Sequence, residues 1–170
     1  MADPLVLTFL AYAHILSAVG WLGGSLLTAF VIGPSLQTLS APSRLEFLAK
    51  VIPRIVRYVY GMIAGTIVFG LLLLYTFVGG DFSMLSPSTP FGVGVSAGML
   101  VAVVVVVLAT TVVFPSFNKV ASLANGVLKS GGQPPPPELA KYANRARVGS
   151  MVGAILLLVV LVLMVSAGFY

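Results

Sequence analysis

Apolar residues fall into four long runs along this chain, separated by polar or proline-rich connectors. Each run is longer than the roughly 20 residues that a helix needs to cross the hydrocarbon core of a bilayer. Lipid offers no partner for backbone polar groups, so the valine-rich third run is also predicted to be a helix. The predicted spans are about 5–32, 55–78, 91–114 and 148–169.

Polar signals mark where the helices begin and bend. Ser43, with Glu46 three residues later, has the pattern of a capping box and is predicted to cap the second helix. The first turns of that helix are amphipathic, and Pro53 is expected to kink them. The third span is expected to continue as a surface helix to about Leu128, and the glycines and prolines of 131–137 form a stiff connector.

Composition decides the class of protein. Of the 170 residues, 59% are hydrophobic and only 8% are charged, whereas soluble proteins carry about 25% charged residues. The sequence therefore predicts an all-α integral membrane protein: one domain, residues 1–170, folded as an up-down bundle of four helices.

The basic residues predict the orientation of this bundle in the cell membrane. All nine lie in or beside the first and third connectors, and the opposite ends of the spans have none. By the positive-inside rule, connectors 34–54 and 115–147 are cytoplasmic and both termini are non-cytoplasmic. The net charge of +5 thus reflects topology, with the bilayer as partner and no nucleic acid. The nine residues are Arg44, Lys50, Arg54, Arg57, Lys119, Lys129, Lys141, Arg145 and Arg147.

Each span also carries one pair of glycines four residues apart. Such pairs let helix backbones approach closely in lipid, so they favour a tight bundle. The pairs are Gly20/Gly24, Gly61/Gly65, Gly94/Gly98 and Gly149/Gly153.

The first span holds the only histidine and the only tryptophan of the chain, His14 and Trp21. On a helical wheel they share one stripe with Ser17 and Ser25, which is how a helix presents a site to the interior of a bundle. An ionisable side chain inside a membrane is a functional hypothesis by default, because lipid gives it no partner.

Counting along the spans places Gly70, Met99 and Met164 at about the depth of His14. A histidine and a methionine are known axial ligands of haem iron, and soft His/Met sets also bind Cu(I). Several alternatives stay open at this point. His14 could bridge two helices by a hydrogen bond, the methionines could be packing residues, and the paired arginines could be topology anchors or could capture haem propionates or lipid phosphates.

The segment His14-x6-Trp21-x-Gly23-Gly24, followed by Pro34, resembles the first helix of CopD-like membrane proteins. It is also similar to that of the HemJ-type protoporphyrinogen oxidases, which are small four-helix proteins with haem b. This resemblance implies that His14 is an axial ligand of haem b. The HemJ-type enzymes need a lysine in a later span, and the later spans here have none at depth, so protoporphyrinogen oxidation is not predicted. The basic residues and proline before the second span also look like that group: Lys50, Pro53, Arg54 and Arg57.

One histidine limits how a haem could be held within this chain. The options are His14 with Met99 or Met164, His14 alone, or His14 from both chains of a homodimer. The function expected is electron transfer or redox chemistry with an unidentified redox partner, with Trp21, Ser17 and Ser25 lining the haem pocket. An oxidoreductase activity stays open. Two alternatives are a membrane protein that handles copper or a small solute without haem, and a structural or assembly subunit.

Overall fold

The computed structural model describes residues 3–131 and 134–167. These residues contain no strand, and four helices among them are long and apolar enough to cross a membrane: α1 (Pro4–Ser35), α2 (Ala41–Val78), α3 (Pro90–Lys129) and α4 (Pro137–Ala167). The predicted all-helical class is confirmed for this part of the chain. The predicted end of the fourth span, at residue 169, and residues 132–133 of the last connector lie outside the described residues.

Helices α1 and α3 each widen into a π-helical turn just before a proline. The N–H of Gly33 donates to the carbonyl of Thr28, five residues earlier, and α1 then continues through Pro34 to Ser35. The same widening in α3, at Ala109–Val113, precedes Pro115. A proline has no N–H and its ring presses on the carbonyl four residues before it, and the wider turn accommodates both effects. The first apolar run is therefore helical beyond residue 32, where the predicted span ends, and continues through Pro34 to Ser35.

The start of α2 differs from the predicted capping box. Its N-cap is Ser40, whose side chain accepts a hydrogen bond from the N–H of Ser43, so the prediction of Ser43 as the cap is wrong. Pro42 explains the shift, because proline suits the first helical turn, where its missing N–H is not needed. The helix is interrupted for one residue at Val51, two positions before Pro53, and the kink expected near Pro53 stays a prediction.

The described residues form two compact units, and each contains a part of all four helices. We call residues 3–23, 60–105 and 155–167 the apolar unit, and residues 24–59, 106–131 and 134–154 the basic unit. All nine lysines and arginines lie in the basic unit, whereas the charged side chains of the apolar unit are Asp3 and Asp81.

Helices α3 and α4 of the apolar unit pack through glycines. A Cβ atom added to Gly94 would lie 2.8 Å from the Cβ of Ala167, and one added to Gly98 would lie 2.9 Å from the Cε of Met164. The two contacts run in opposite directions along the helices, so α3 and α4 are antiparallel here. Small residues allow this close approach, as the glycine pairs predict.

The glycine pair of α2 behaves differently at its two positions. A Cβ on Gly65 would lie 2.6 Å from the Oγ of Ser17 in α1, whereas one on Gly61 would have nothing within 4 Å. Only Gly65 of this pair is therefore needed for a close approach between helices.

The basic unit also has a close glycine contact, since a Cβ on Gly149 would lie 2.9 Å from the Cγ2 of Val113, and it packs through larger side chains as well. The amphipathic segment Ala41–Lys50 lies against Phe114–Lys129. The polar continuation of the third span is helical, as expected, and it also buries one face. Aliphatic residues three and four positions apart form such a face. The buried side chains of these two segments include Leu45, Leu48, Ala49, Val120, Ala121, Ala124 and Val127.

Candidate functional site

His14 lies half-buried on α1 in the apolar unit, and its ring makes a hydrogen bond with the neighbouring helix. The Nδ1 atom is 2.9 Å from the backbone carbonyl oxygen of Thr66 in α2. A carbonyl oxygen only accepts, so Nδ1 carries the proton and donates it; when the ring is neutral, its lone pair is then on Nε2. This assignment of the tautomer follows from the partner of the bond.

Gly70 makes this hydrogen bond possible. A Cβ at this position would lie 2.7 Å from both Cε1 and Nδ1 of His14, so the imidazole occupies the space that any other residue would fill. In a helix the carbonyl of Thr66 also receives the N–H of the residue four positions later, which is Gly70. Two lone pairs allow the oxygen to accept both bonds. The predicted depth of Gly70 is confirmed by this contact with His14.

Two further contacts fix α1 against α2 near the histidine. Ser17 packs on Gly65, while its hydroxyl donates to the carbonyl of its own helix at Ala13, 2.8 Å away. The rings of Phe9 and Phe69 meet edge to face, with their centroids 6.3 Å apart. The imidazole therefore lies in the contact between α1 and α2, with packed side chains before it and after it along α1.

The other predicted site residues are distributed over both units. Trp21 belongs to the apolar unit and is 4% exposed, so its indole is a buried core side chain. Ser25 is half-buried but belongs to the basic unit. The structure thus places His14, Ser17 and Trp21 in one unit and Ser25 in the other.

The two candidate methionines are half-buried in the apolar unit. The thioether of Met164 packs on Gly98, and a Cβ on that glycine would lie 3.3 Å from the Sδ atom. Met164 is thereby tied to the packing of α3 on α4, whereas the contacts described for His14 are with α2. The structure therefore places the His14 ring at the contact of α1 with α2 and the Met164 thioether at the contact of α3 with α4.

His14 is the one imidazole that this chain can offer to a metal ion or a cofactor. Among residues 3–131 and 134–167, no group of three or more His, Asp or Glu side chains could hold a metal ion. A porphyrin supplies four nitrogen ligands and needs only one or two axial ligands from the protein. A half-buried, neutral imidazole with its lone pair on Nε2 fits that requirement, and a metal-ligating histidine usually donates its other N–H to a carbonyl or carboxylate.

Sequence reasoning did not assign a role to Thr66 or to the missing side chain of Gly70. A backbone carbonyl carries no signal in the sequence. The available signal was a single glycine in an apolar span, one turn after a threonine and level with the histidine.

Comparison with profiles of known protein families, with curated proteins and with solved structures finds no match. The similarity of the first helix to CopD-like and HemJ-type proteins therefore stays a prediction from the spacing of His14 and Trp21.

Proposed function

We propose that this protein is an integral membrane haem b protein in which the Nε2 atom of His14 is an axial ligand of the iron. Its function would be electron transfer or redox chemistry within the bilayer, with a redox partner still to be identified. The observation that carries the proposal is the hydrogen bond from Nδ1 to the Thr66 carbonyl, which directs the lone pair to Nε2. When bound, the haem supplies the one-electron chemistry, which its protein surroundings tune.

The residues of the chain have separate roles in this proposal. The carbonyl of Thr66 fixes the orientation and tautomer of the ring and increases the basicity of Nε2. Gly70 provides the space for the ring. Met99, Met164 or His14 of a second copy are the candidates for the sixth ligand, and His14 alone would give a five-coordinate iron. Trp21, Ser17 and Ser25 remain the proposed pocket residues, and protoporphyrinogen oxidation is not part of the proposal.

The proposal also includes the orientation of the helices in the membrane. We infer an up-down bundle in the cell membrane with both termini non-cytoplasmic and with connectors 34–54 and 115–147 in the cytoplasm. The concentration of all nine basic residues in one unit supports this orientation, because cytoplasmic ends of spans are enriched in Lys and Arg. The His14 site and this topology also support our proposal that the chain is related to the CopD-like and HemJ-type proteins.

The absorption spectrum of the full chain, purified in detergent after haem-replete expression, tests the proposal. We expect a Soret band that is lost in His14→Ala and partly restored when imidazole is added to that variant. Met99→Leu and Met164→Leu test the sixth ligand, and Met62→Leu is the matched control. A wild-type protein without a Soret band, or a band unchanged in His14→Ala, would contradict haem ligation by His14.

A structural role is the second candidate, because the bond between His14 and the Thr66 carbonyl also joins two helices. In that case the wild-type protein has no Soret band, and His14→Ala lowers the unfolding temperature without any change in absorption. Copper handling would instead give stoichiometric copper without a Soret band.

A further inference from the structure

The basic unit contains a cavity of about 460 Å³ that is separate from the residues around His14. Its wall combines the end of α1, the start of α2, part of α3 and the start of α4 with the proline connector. This volume lies within the range of about 300–1,000 Å³ that is typical of small-molecule sites.

The polar part of the cavity is cationic. Arg44 of α2 and Arg147 of α4 both line it, together with the amides of Gln37 and Asn144, and no carboxylate does. Among the described residues, the salt bridge that is formed joins Lys50 to Glu46, neither of which lines the cavity. The charge of the two guanidinium groups is therefore not neutralised by an acidic side chain of the cavity wall.

Two other arginines at this end of α2 make hydrogen bonds with carbonyls of their own helix and do not line the cavity. Arg54 donates to the carbonyl of Lys50, 2.7 Å away, and Arg57 donates to the carbonyl of Pro53, 3.3 Å away. Neither lines the cavity. These two residues provide a control with the same charge.

The rest of the wall is apolar. Leu48 and Ile52 of α2 and Val120 of α3 contribute buried aliphatic surface. Pro135–Pro137 close one side, and consecutive prolines form a stiff wall. A small inorganic anion would leave this surface uncovered, and a purely apolar ligand would make no contact that uses the charge of the two guanidinium groups.

We propose that this cavity binds one anionic phospholipid, with its phosphate between Arg44 and Arg147 and the start of its acyl chains against the aliphatic wall. The planar guanidinium group can bind phosphate through two parallel hydrogen bonds. The basic unit carries nine basic and two acidic side chains, and a basic surface beside a bilayer attracts anionic lipid. A zwitterionic headgroup would bring its own cation towards the two arginines, so the site favours a headgroup with net negative charge.

The test uses the full chain in nanodiscs of equal parts phosphatidylcholine and phosphatidylglycerol, released into detergent and measured by native mass spectrometry. We expect one retained phosphatidylglycerol per chain and no retained phosphatidylcholine. The double variant Arg44→Gln/Arg147→Gln should retain about tenfold less, because it loses charge-assisted hydrogen bonds. The control Arg54→Gln/Arg57→Gln removes the same charge outside the cavity and should retain lipid as the wild type does.

A second variant tests the apolar wall without changing charge. Ala143 lines the cavity, so Ala143→Phe should fill it and also release the lipid, while circular dichroism and gel filtration verify folding. Excess inorganic phosphate should not displace the bound lipid, since it lacks the acyl chains. Equal retention of both lipids, equal loss in the two arginine variants, retention by folded Ala143→Phe, or displacement by phosphate alone would each overturn the proposal.

Discussion

The apolar unit and the basic unit contain parts of the same four helices and share the same kinds of packing, but they differ in charge. Each unit has a close glycine contact, Gly98 against Met164 in the apolar unit and Gly149 against Val113 in the basic unit, as small residues allow. Each also buries large apolar side chains, such as Leu157 and Val120, which are 6% and 1% exposed. All nine lysines and arginines, however, lie in the basic unit.

Hydroxyl side chains of both units donate to carbonyls of their own helix, for example Thr28 to Gly24 and Ser116 to Val112 in the basic unit, so the units differ in their ionisable side chains. In α1 and α2 of the apolar unit, Ser17 and Thr66 donate to carbonyls of their own helix, at Ala13 and Met62. His14 instead donates to a carbonyl of another helix. The basic unit presents uncompensated arginines to a cavity. The apolar unit thus contains one oriented imidazole, whereas the basic unit contains the two arginines of the anion site that we propose.

The largest effect is expected from a single methyl group in the apolar unit. Gly70→Ala would place a Cβ 2.7 Å from the His14 ring, so the imidazole must leave the Thr66 carbonyl. Loss of such a supporting hydrogen bond lowers metal affinity by about 10–100-fold, and the same loss of haem affinity is expected. Haem titration of the purified apoprotein, followed at the Soret band, measures it.

Gly61→Ala is the control for this substitution. It lies on the same helix and has nothing within 4 Å of the added Cβ. Both changes share the gain in helix propensity of about 1 kcal/mol, so the difference between them isolates the histidine. Equal haem affinity in the two variants would show that haem binding does not depend on the position of the His14 ring against Gly70.

The next largest effect is on stability and compares one leucine from each unit. Leu48, in the basic unit, is 7% exposed, and Leu71, in the apolar unit, is 54% exposed. Leu48→Ala should lower the free energy of unfolding by about 2–5 kcal/mol, because it removes buried contacts and leaves a cavity. Leu71→Ala should change it by about 0.5 kcal/mol or less. Denaturant titration followed by circular dichroism provides both values, and similar losses would show that burial of the side chain does not decide its contribution to stability.

The number and position of the helices could be predicted because lipid allows few structures. Any long apolar run must satisfy its own backbone, so hydrophobicity alone identifies a span. The same constraint explains why the end predicted before Pro34 differs from the structure. In water a proline commonly ends a helix, but here a π-helical turn at Leu27–Ile32 lets α1 continue to Ser35.

The candidate site could be predicted only in part. The helical wheel gives the face of α1 on which His14 and Ser25 lie, but it does not show that they belong to different units. The carbonyl of Thr66 could not be found, since every residue has one. The cavity was also missed, because it forms where segments far apart in the sequence pack together and bring Arg44 and Arg147 into one wall.

The smallest effect concerns the acidic loop of the apolar unit and its dependence on pH. Hydrogen bonds from the side chain and backbone of Ser83 hold the pKa of Asp81 below its ordinary value of 3.8, and Asp81 Oδ1 caps the short turn Phe82–Leu85. A lowered pKa means that this stabilisation is present above 3.8 and is lost as the pH falls through the lowered pKa. The backbone amide resonance of Ser83 should therefore shift with a midpoint below 3.8, while the unfolding temperature hardly changes because the group is exposed. Asp81→Asn keeps the acceptor and cannot ionise, so a shift that persists in this variant would assign the titration to another group.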